Sequence, residues 1–423
     1  MIKEKEYRCR RKKLLKKLSN NSIAILYSSE QKIRSNDTEY PYRQDSNFYY
    51  LTGFKEDNSI LVLLKTRKST KTILFVQKKD KVLELWTGKR VGEKKAKKRF
   101  LFDEIYTSDK LEEKLKEFIQ DINSCYFDFL SQDIRVEQLK KETKKFRTYK
   151  DISYLVKKMR QIKSKSEIKL IKKAIQITKK AHHKVMKLNK KNKNEYELQA
   201  NIEHTFKNNG AYSDAYTSIV ASGNSANTLH YIRNDKSLKD KELILIDAGC
   251  EYDYYASDIT RTIPVSGRFT SVQKELYKLV LNTQLEIIKM IKPNIKRSKL
   301  QKKSQELLCK GMLKLGILKG SYKKAMKKEK FKRYYPHGIG HWMGIDVHDP
   351  SPYKNKKNKE ILLQKGMVLT VEPGIYIEKN DKNVPKKYRG IGIRVEDNIL
   401  VTKNGYKNLS LNIAKTIKEI ENI

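Results

Sequence analysis

Cysteine is scarce in this chain: four residues, Cys9, Cys125, Cys250 and Cys309, in 423. They lie far apart and form no CxxC pair, which argues against a disulfide framework and fits a reducing compartment. Long apolar runs are missing too. The longest, such as ILVLL at 60–64, fall far below the ~18 residues that a membrane span needs. The opening stretch, MIKEKEYRCRRKKLLKK, is charged throughout and lacks the apolar core of a signal peptide. These absences predict a soluble, cytoplasmic protein with no membrane partner. Acidic residues are outnumbered, 49 Asp and Glu against 93 Lys and Arg, for a formal net charge of +44. Such an excess raises the question of nucleic acid, because basic patches gain affinity by releasing counterions. Arginine-rich stripes and interleaved aromatic–basic motifs are absent, however, and the lysines recur as KK pairs along every segment. With Asn, Ile and Tyr also abundant, a compositional drift that places lysine on any solvated face accounts for the charge better than a nucleic-acid partner.

What is present is enough for two domains. Hydrophobic residues make up 38% of the chain and recur in regular segments, which excludes a disordered protein. SIAILY (22–27), SILVLL (59–64), TILFVQ (72–77) and CYFDFL (125–130) read as strands, and KLEEKLKEFIQDI (110–122) as a helix. That alternation predicts an α/β first domain over residues 1–160. A long helix is expected from Ser164 to Asn189, opened by a capping box of Ser164 and Glu167, with Ile168, Ile171, Ile175 and Val185 as its buried stripe. Further helices are expected at 194–208, 271–291 and 297–315, the last stopped by Gly316. Between and after them run SIVASG, ELILIDAGC, DITRTIPV, MVLTVEPGIYI and GIGIRVEDNILV. Helix pairs alternating with antiparallel strand runs predict an α+β second domain over 161–423.

Several of these strand runs carry a carboxylate at or near one end. ELILID ends at Asp247, Asp258 opens DITRT, and VLTVE ends at Glu372, directly before Pro373. In GIGIRVED, alternation puts Ile391, Ile393 and Val395 on one face and Arg394 with Glu396 on the other. A buried carboxylate is costly unless paired or bound to a metal, and several together repel one another. Four carboxylates with one histidine form a hard, oxygen-rich donor set that suits Mn²⁺, Fe²⁺ or Co²⁺. They exceed what one tetrahedral zinc uses and suit a pair of ions. Three of the seven histidines, His337, His341 and His348, gather in HGIGHWMGIDVHD (337–349). Nothing in the spacing alone brings these residues together. Taken singly, a strand-end Asp is a turn residue, Glu396 a solvated strand residue, Arg394 half of a surface ion pair, and each histidine a packed one.

The ordered set DAG, SDITRT, HGIGHWMGIDVHD, TVEPGIY and GIGIRVED resembles the creatinase-type, or pita-bread, metallopeptidases of family M24. Within that group the chain is most similar to the bacterial aminopeptidase P family, over nearly its whole length. NDTEYPYRQDSNFYYLTGF (36–54) and LELWTGKRVG (83–92) resemble that family's N-terminal domain, and IVASGNSANTLHY (219–231) the segment bearing a substrate-side histidine. The resemblance implies an aminopeptidase P N-terminal domain over 1–160 and a pita-bread catalytic domain over 161–423. It also implies an Xaa-Pro aminopeptidase that hydrolyses the N-terminal Xaa-Pro bond through a hydroxide bridging two metal ions. The alternatives are prolidase, acting on Xaa-Pro dipeptides, and a basic nucleic-acid-binding protein on the same scaffold.

Carried over residue by residue, the implied ligands of two divalent ions, taken as Mn²⁺, are Asp247, Asp258, His341, Glu372 and Glu396, with Asp258 and Glu396 bridging. Glu372 is also implied to shuttle a proton from the nucleophile to the leaving proline nitrogen. His230 and His348 resemble residues that contact the scissile carbonyl, and His337 one on the proline side, where positively biased imidazoles would stabilise developing charge. Arg394 resembles an arginine that pairs with Asp247, with Tyr216 nearby. Asp37 and Trp86 resemble residues that reach a neighbouring subunit's active site, which implies a homo-oligomer, a tetramer or a dimer. Read without the family they are a turn Asp and a core Trp. The chain departs from the family at Ile339, Gly340 and Asn398, none of them an implied ligand.

Overall fold

The computed structural model describes residues 1–129, 135–136, 146–188 and 193–423. The chain divides into two compact units, Met1–Arg160 and Gln161–Ile423. The first comprises α1 (Glu4–Leu15), β1 (Ser22–Tyr27), α2 (Ser46–Thr52), β2 (Ile60–Lys65), β3 (Thr70–Val76), β4 (Glu104–Thr107), α3 (Leu111–Phe118), β5 (Ser124–Phe127) and β6 (Thr148–Asp151), with shorter pieces between. Its six-stranded sheet runs β4-β3-β2-β1-β5-β6. β1, β2 and β3 pair antiparallel, while the outer pairs are parallel. The three apolar runs become the central strands and are buried over their apolar stretches, as unbroken Val, Ile and Leu runs require. The helix expected over 110–122 is shorter: a 3₁₀ turn at Ser108–Lys110 precedes α3, which ends at Phe118. CYFDFL is strand only to Phe127, and its Leu130 lies outside the described residues.

The second unit repeats one order twice. α4 (Lys165–Leu188) and α5 (Glu195–Asn208) precede β7 (Ile219–Ser222), β8 (Leu243–Asp247) and β9 (Thr260–Pro264), which form an antiparallel sheet. Then α6 (Ser271–Lys289) and α7 (Arg297–Lys314) precede β10 (Val368–Val371), β11 (Gly374–Ile377), β12 (Ile391–Arg394), β13 (Asp397–Val401) and β14 (Tyr406–Asn408). At the start of α4, Glu167 N donates to Ser164 Oγ at 3.2 Å and Ser164 N to Glu167 Oε2 at 2.9 Å, a reciprocal cap of about 1 kcal/mol. Its buried stripe differs from the expected one. Leu170, Ile171, Ala174, Ile175, Ala181 and Val185 are buried, whereas Ile168 is only half-buried. The stripe passes through Glu167, which receives the buried Tyr255 hydroxyl at 3.1 Å. One residue of helix rotation, about 100°, then turns Ile168 away. Asn189, the last residue of the expected helix, lies outside the described residues. Gly316, at φ +72°, follows the end of α7 in the left-handed conformation that stops helices.

Two expected strands are each broken in two, and the breaks matter. MVLTVEPGIYI gives β10 and β11, interrupted at Glu372 and Pro373; GIGIRVEDNILV gives β12 and β13, interrupted at Val395 and Glu396. Pro373 has no N–H to continue a ladder. β10 therefore pairs with β13, and β11 with β12. At the breaks the freed amides turn elsewhere: Glu372 N donates to Ile339 O at 2.9 Å and Glu396 N to Thr260 O at 3.1 Å. Gly249 permits a similar close approach, since a Cβ there would lie 1.9 Å from the Ser257 carbonyl oxygen. That contact brings the end of β8, with Asp247, beside the chain that carries Asp258.

Candidate metal centre

Asp247 is the last residue of β8, paired with Ile219 on one side and Thr260 on the other. Asp258 enters β9 two residues before Thr260. Glu372 and Glu396 occupy the two strand breaks, and His341 lies beside β10, where its amide meets Thr370 Oγ1 at 3.0 Å. The fold brings all five into one cleft, together with Tyr216, His230, His337, His348 and Arg394. Their ligand atoms form three overlapping groups, each within 4.8 Å: Asp247, Asp258 and Glu396; His341, Glu372 and Glu396; Asp258, His341 and His348. His348, read from sequence as a substrate contact, therefore also stands at ligand distance. Asp37 and Trp86 belong to the first unit. Asp37 is exposed at the turn between short strands Ile33–Ser35 and Thr38–Glu39. Trp86 is 81% exposed, which overturns the core reading of that residue.

The cleft crowds carboxylates where burial makes their charge costly, a condition that a bound cation relieves. Burial first, then repulsion from Asp258, Glu372 and Asp247, raises the Glu396 carboxyl well above the ordinary range. Burial pushes Glu372 up to about 7, and burial raises Asp247 although Arg394 opposes it. Glu396 Oε1 is buried and, among the described residues, has no hydrogen-bond partner, a costly state for a carboxylate oxygen. The His341 ring is already oriented for a ligand role. Its Nδ1–H donates to Trp342 O at 2.9 Å, leaving Nε2 to face Asp258 Oδ2 at 3.2 Å and Glu372 Oε1 at 3.7 Å. Burial disfavours its charge, but the bond to Asp258 and the charges of Asp258 and Glu372 hold it near 9. A divalent ion fits this donor set of hard oxygens and one imidazole nitrogen.

Around these groups lies a layer of oriented polar contacts. Arg394 donates to Asp247 Oδ2 at 2.6 Å, Thr260 Oγ1 at 3.1 Å and the Tyr376 hydroxyl at 3.0 Å. Tyr216 OH stands 2.6 Å from both Asp247 Oδ1 and Asp258 Oδ1. Thr260 Oγ1 donates to Glu396 Oε2 at 2.7 Å, and Thr370 Oγ1 to Glu372 Oε1 at 3.2 Å. Asn398 clamps Asp258 from behind: Oδ1 accepts from Asp258 N at 3.1 Å and Nδ2 donates to Asp258 O at 2.6 Å. The residue after Glu396 is equally tied, with Arg261 at 2.7 Å and Lys415 at 2.5 Å from the buried Asp397 carboxylate.

The sequence reading did not find Thr260, Thr370, Tyr376, Arg261 or Asp397. A period-two signal was available for two of them, since Thr260 and Thr370 each lie two residues from a carboxylate on the same strand face. One electrostatic expectation is corrected. His337 is held down to about 4 by burial and by Arg394, and burial and His341 also lower His348. Near neutral pH these two imidazoles are neutral donors or acceptors, not cations. His337 is further committed: Nδ1–H donates to Gly338 O at 2.8 Å and Nε2 accepts from the Tyr376 hydroxyl at 2.8 Å.

Comparison with known proteins covers both units. Residues 169–403 match the model of metallopeptidase family M24, and residues 7–126 match that of the aminopeptidase P N-terminal domain. The Xaa-Pro aminopeptidase of Haemophilus influenzae is 39% identical, over 100% of this chain and 97% of that one. The structure of aminopeptidase PepP from Pseudomonas aeruginosa superimposes with a TM-score of 0.96 at 36% identity, covering 100% of this chain and 98% of that one. Zn-substituted Escherichia coli aminopeptidase P, in complex with product, gives a TM-score of 0.94 at 36% identity, with 100% and 98% covered.

Proposed function

This chain belongs to metallopeptidase family M24, with the pita-bread fold and the N-terminal domain of aminopeptidase P, and from that membership we infer that it is an Xaa-Pro aminopeptidase. It hydrolyses the N-terminal Xaa-Pro bond of peptides in a metal-dependent reaction. The observation that carries this is full-length likeness to Xaa-Pro aminopeptidases joined to a cleft lined by four carboxylates and four imidazoles. Neither the prolidase reading nor the nucleic-acid reading is favoured by those relatives.

The finer assignment is ours. Asp247, Asp258, His341, Glu372 and Glu396 would hold two divalent ions, with Mn²⁺ as the native metal. The overlap of the ligand groups supports two ions better than one. Bound divalent ions supply Lewis acidity, which polarises a carbonyl and makes hydroxide available near neutral pH. The chain's own residues do the rest. Glu372, with its buried carboxyl, takes a proton at the nucleophile's side and delivers it to the proline nitrogen, which as a tertiary amide has no N–H of its own. His230 and His348 line the cleft and offer N–H groups to the carbonyl oxygen as charge develops there. His337 serves the proline side, and Leu229, Ile232 and Val347 give the cleft apolar lining. Arg394 and Tyr216 keep Asp247 and Asp258 aimed inward.

The deciding experiment is hydrolysis of Xaa-Pro-Xaa and Xaa-Pro peptides by Mn²⁺-loaded protein, with a chelated control and metal counted per chain. The expected result is release of the first residue from the longer peptide, lost on chelation, with two ions bound. Cleavage of the dipeptide alone would support prolidase. No cleavage with metal bound would support the binding-protein reading.

We also propose a cytoplasmic homo-oligomer, tetramer or dimer, in which Asp37 and Trp86 approach a neighbour's cleft. Supporting it, the short helix Leu83–Thr87 exposes Leu85 and Trp86, each 81% accessible, with Val82 at 69% just before it, and apolar exposure of this kind marks contact surfaces. Among the described residues, no helix is long and apolar enough to cross a membrane. Sedimentation velocity on protein from the cytosolic fraction should show the oligomer, and Trp86→Ala should lower its activity. A fully active monomer would exclude the arrangement.

A further inference from the structure

Glu195 opens α5 and is completely buried, yet no lysine or arginine among the described residues pairs with it. Four donors surround it instead. Oε1 accepts from Ser222 N and Ser222 Oγ at 2.6 Å each, and Oε2 from the Tyr231 hydroxyl at 2.8 Å and Lys236 N at 3.0 Å. The main-chain N–H of Glu195 donates to Lys236 O at 2.9 Å. A buried carboxylate is tolerated when its lone pairs are filled this way, and the start of a helix favours its charge.

What these bonds hold is the loop that follows His230. Tyr231, one residue on, is buried against Ile219, Ala221, Leu245 and Tyr376. The same loop is pinned again at Asn234, which is fully buried in the left-handed region at φ 50°. Asn234 accepts from Val220 N at 2.9 Å and donates to Ser218 O at 2.8 Å. His230 itself is exposed on the cleft, and among the described residues no hydrogen bond fixes its ring. Its location is therefore set by the backbone beside it, and that backbone is held by Glu195.

We propose that Glu195 is a positioning residue for the reaction, fixing His230 at the cleft through Tyr231 and Lys236. This rests on the reading of His230 as the group that meets the scissile carbonyl. A carboxylate is required because every neighbour donates. Glutamine has the same shape but turns an NH₂ towards one of the two donor pairs.

The test is a double-mutant cycle of Glu195→Gln and His230→Ala on Mn²⁺-loaded protein, measuring kcat and KM on an Xaa-Pro-Xaa peptide and Mn²⁺ binding by calorimetry. Glu195→Gln should lower kcat by about tenfold to a hundredfold, the effect of misplacing a catalytic group, with Mn²⁺ binding unchanged. In the His230→Ala background it should lower kcat no further, because the group it positions is gone. Tyr231→Phe, which removes one of the four donors, replaces Glu195→Gln in the same cycle if the glutamine variant does not fold. Unchanged kcat in the folded variant, or fully additive losses, would overturn the proposal. Full activity of His230→Ala would instead remove the reading of His230 on which it rests.

Discussion

Glu372→Gln is expected to lower kcat by about a thousandfold, within the range that positioned acid–base groups contribute, while the metal-free protein becomes more stable. The two effects have one cause. Glu372 is buried beside Asp258 and Asp247, and its carboxyl is pushed up to about 7, so ionised Glu372 is a strained group in the metal-free fold. Glutamine removes that charge at nearly constant volume and can still accept from Thr370 Oγ1, now 3.2 Å from Glu372 Oε1. The variant cannot carry a proton to the leaving nitrogen and offers a weaker oxygen to a cation. Thermal denaturation without metal should thus show a midpoint at or above that of the parent, with a smaller rise on adding Mn²⁺. A kcat within tenfold of the parent, on protein with two ions bound, would remove Glu372 from the reaction. Stability gained where activity is lost is the signature of a functional site.

The architecture was legible wherever one period dominated. SIAILY, SILVLL and TILFVQ are buried along one strand each, and the cap of Ser164 with Glu167 opens α4 where expected. Pattern reading was weaker where tertiary contacts chose between neighbours, as with Ile168 and Leu170 on α4. It also ran straight through the breaks at Pro373 and Val395, because alternation in sequence does not reveal that a strand has changed partners. Those breaks carry Glu372 and Glu396, so the site lay where the regular pattern was least informative. The strand-end carboxylates were visible individually, but their meeting was not. Asp258 and Asn398 lie 140 residues apart and touch, and Arg261 reaches Asp397 across 136. Such contacts have no local period; the ordered family motifs pointed to a meeting of the carboxylates, but not to these contacts behind them.

Arg394→Ala should act in the opposite direction on stability. The Arg394 side chain is 5% exposed and is a cation that faces the buried carboxylates, bound to Asp247 at 2.6 Å. Removing it leaves Asp247 without its ion-pair partner and strands Tyr376 and Thr260. Breaking a buried pair from one side costs about 3–5 kcal/mol, so the metal-free midpoint should fall. Mn²⁺ should restore part of the loss, since a divalent ion compensates the same carboxylates. Its affinity should nonetheless weaken by about 10–100-fold, the usual effect of losing a partner that orients a ligand. Arg394→Lys should not rescue it. One ammonium can face Asp247, but it cannot also reach Thr260 and Tyr376 as the planar guanidinium does. Calorimetric Mn²⁺ titration with a parallel melt separates the two contributions: ligand aim is read in the affinity, charge compensation in the metal-free midpoint. Full activity with two ions per chain would show that Asp247 holds its place without Arg394. With Glu372→Gln stabilising the empty fold and Arg394→Ala destabilising it, excess negative charge would be established as the quantity the cleft holds ready for a cation.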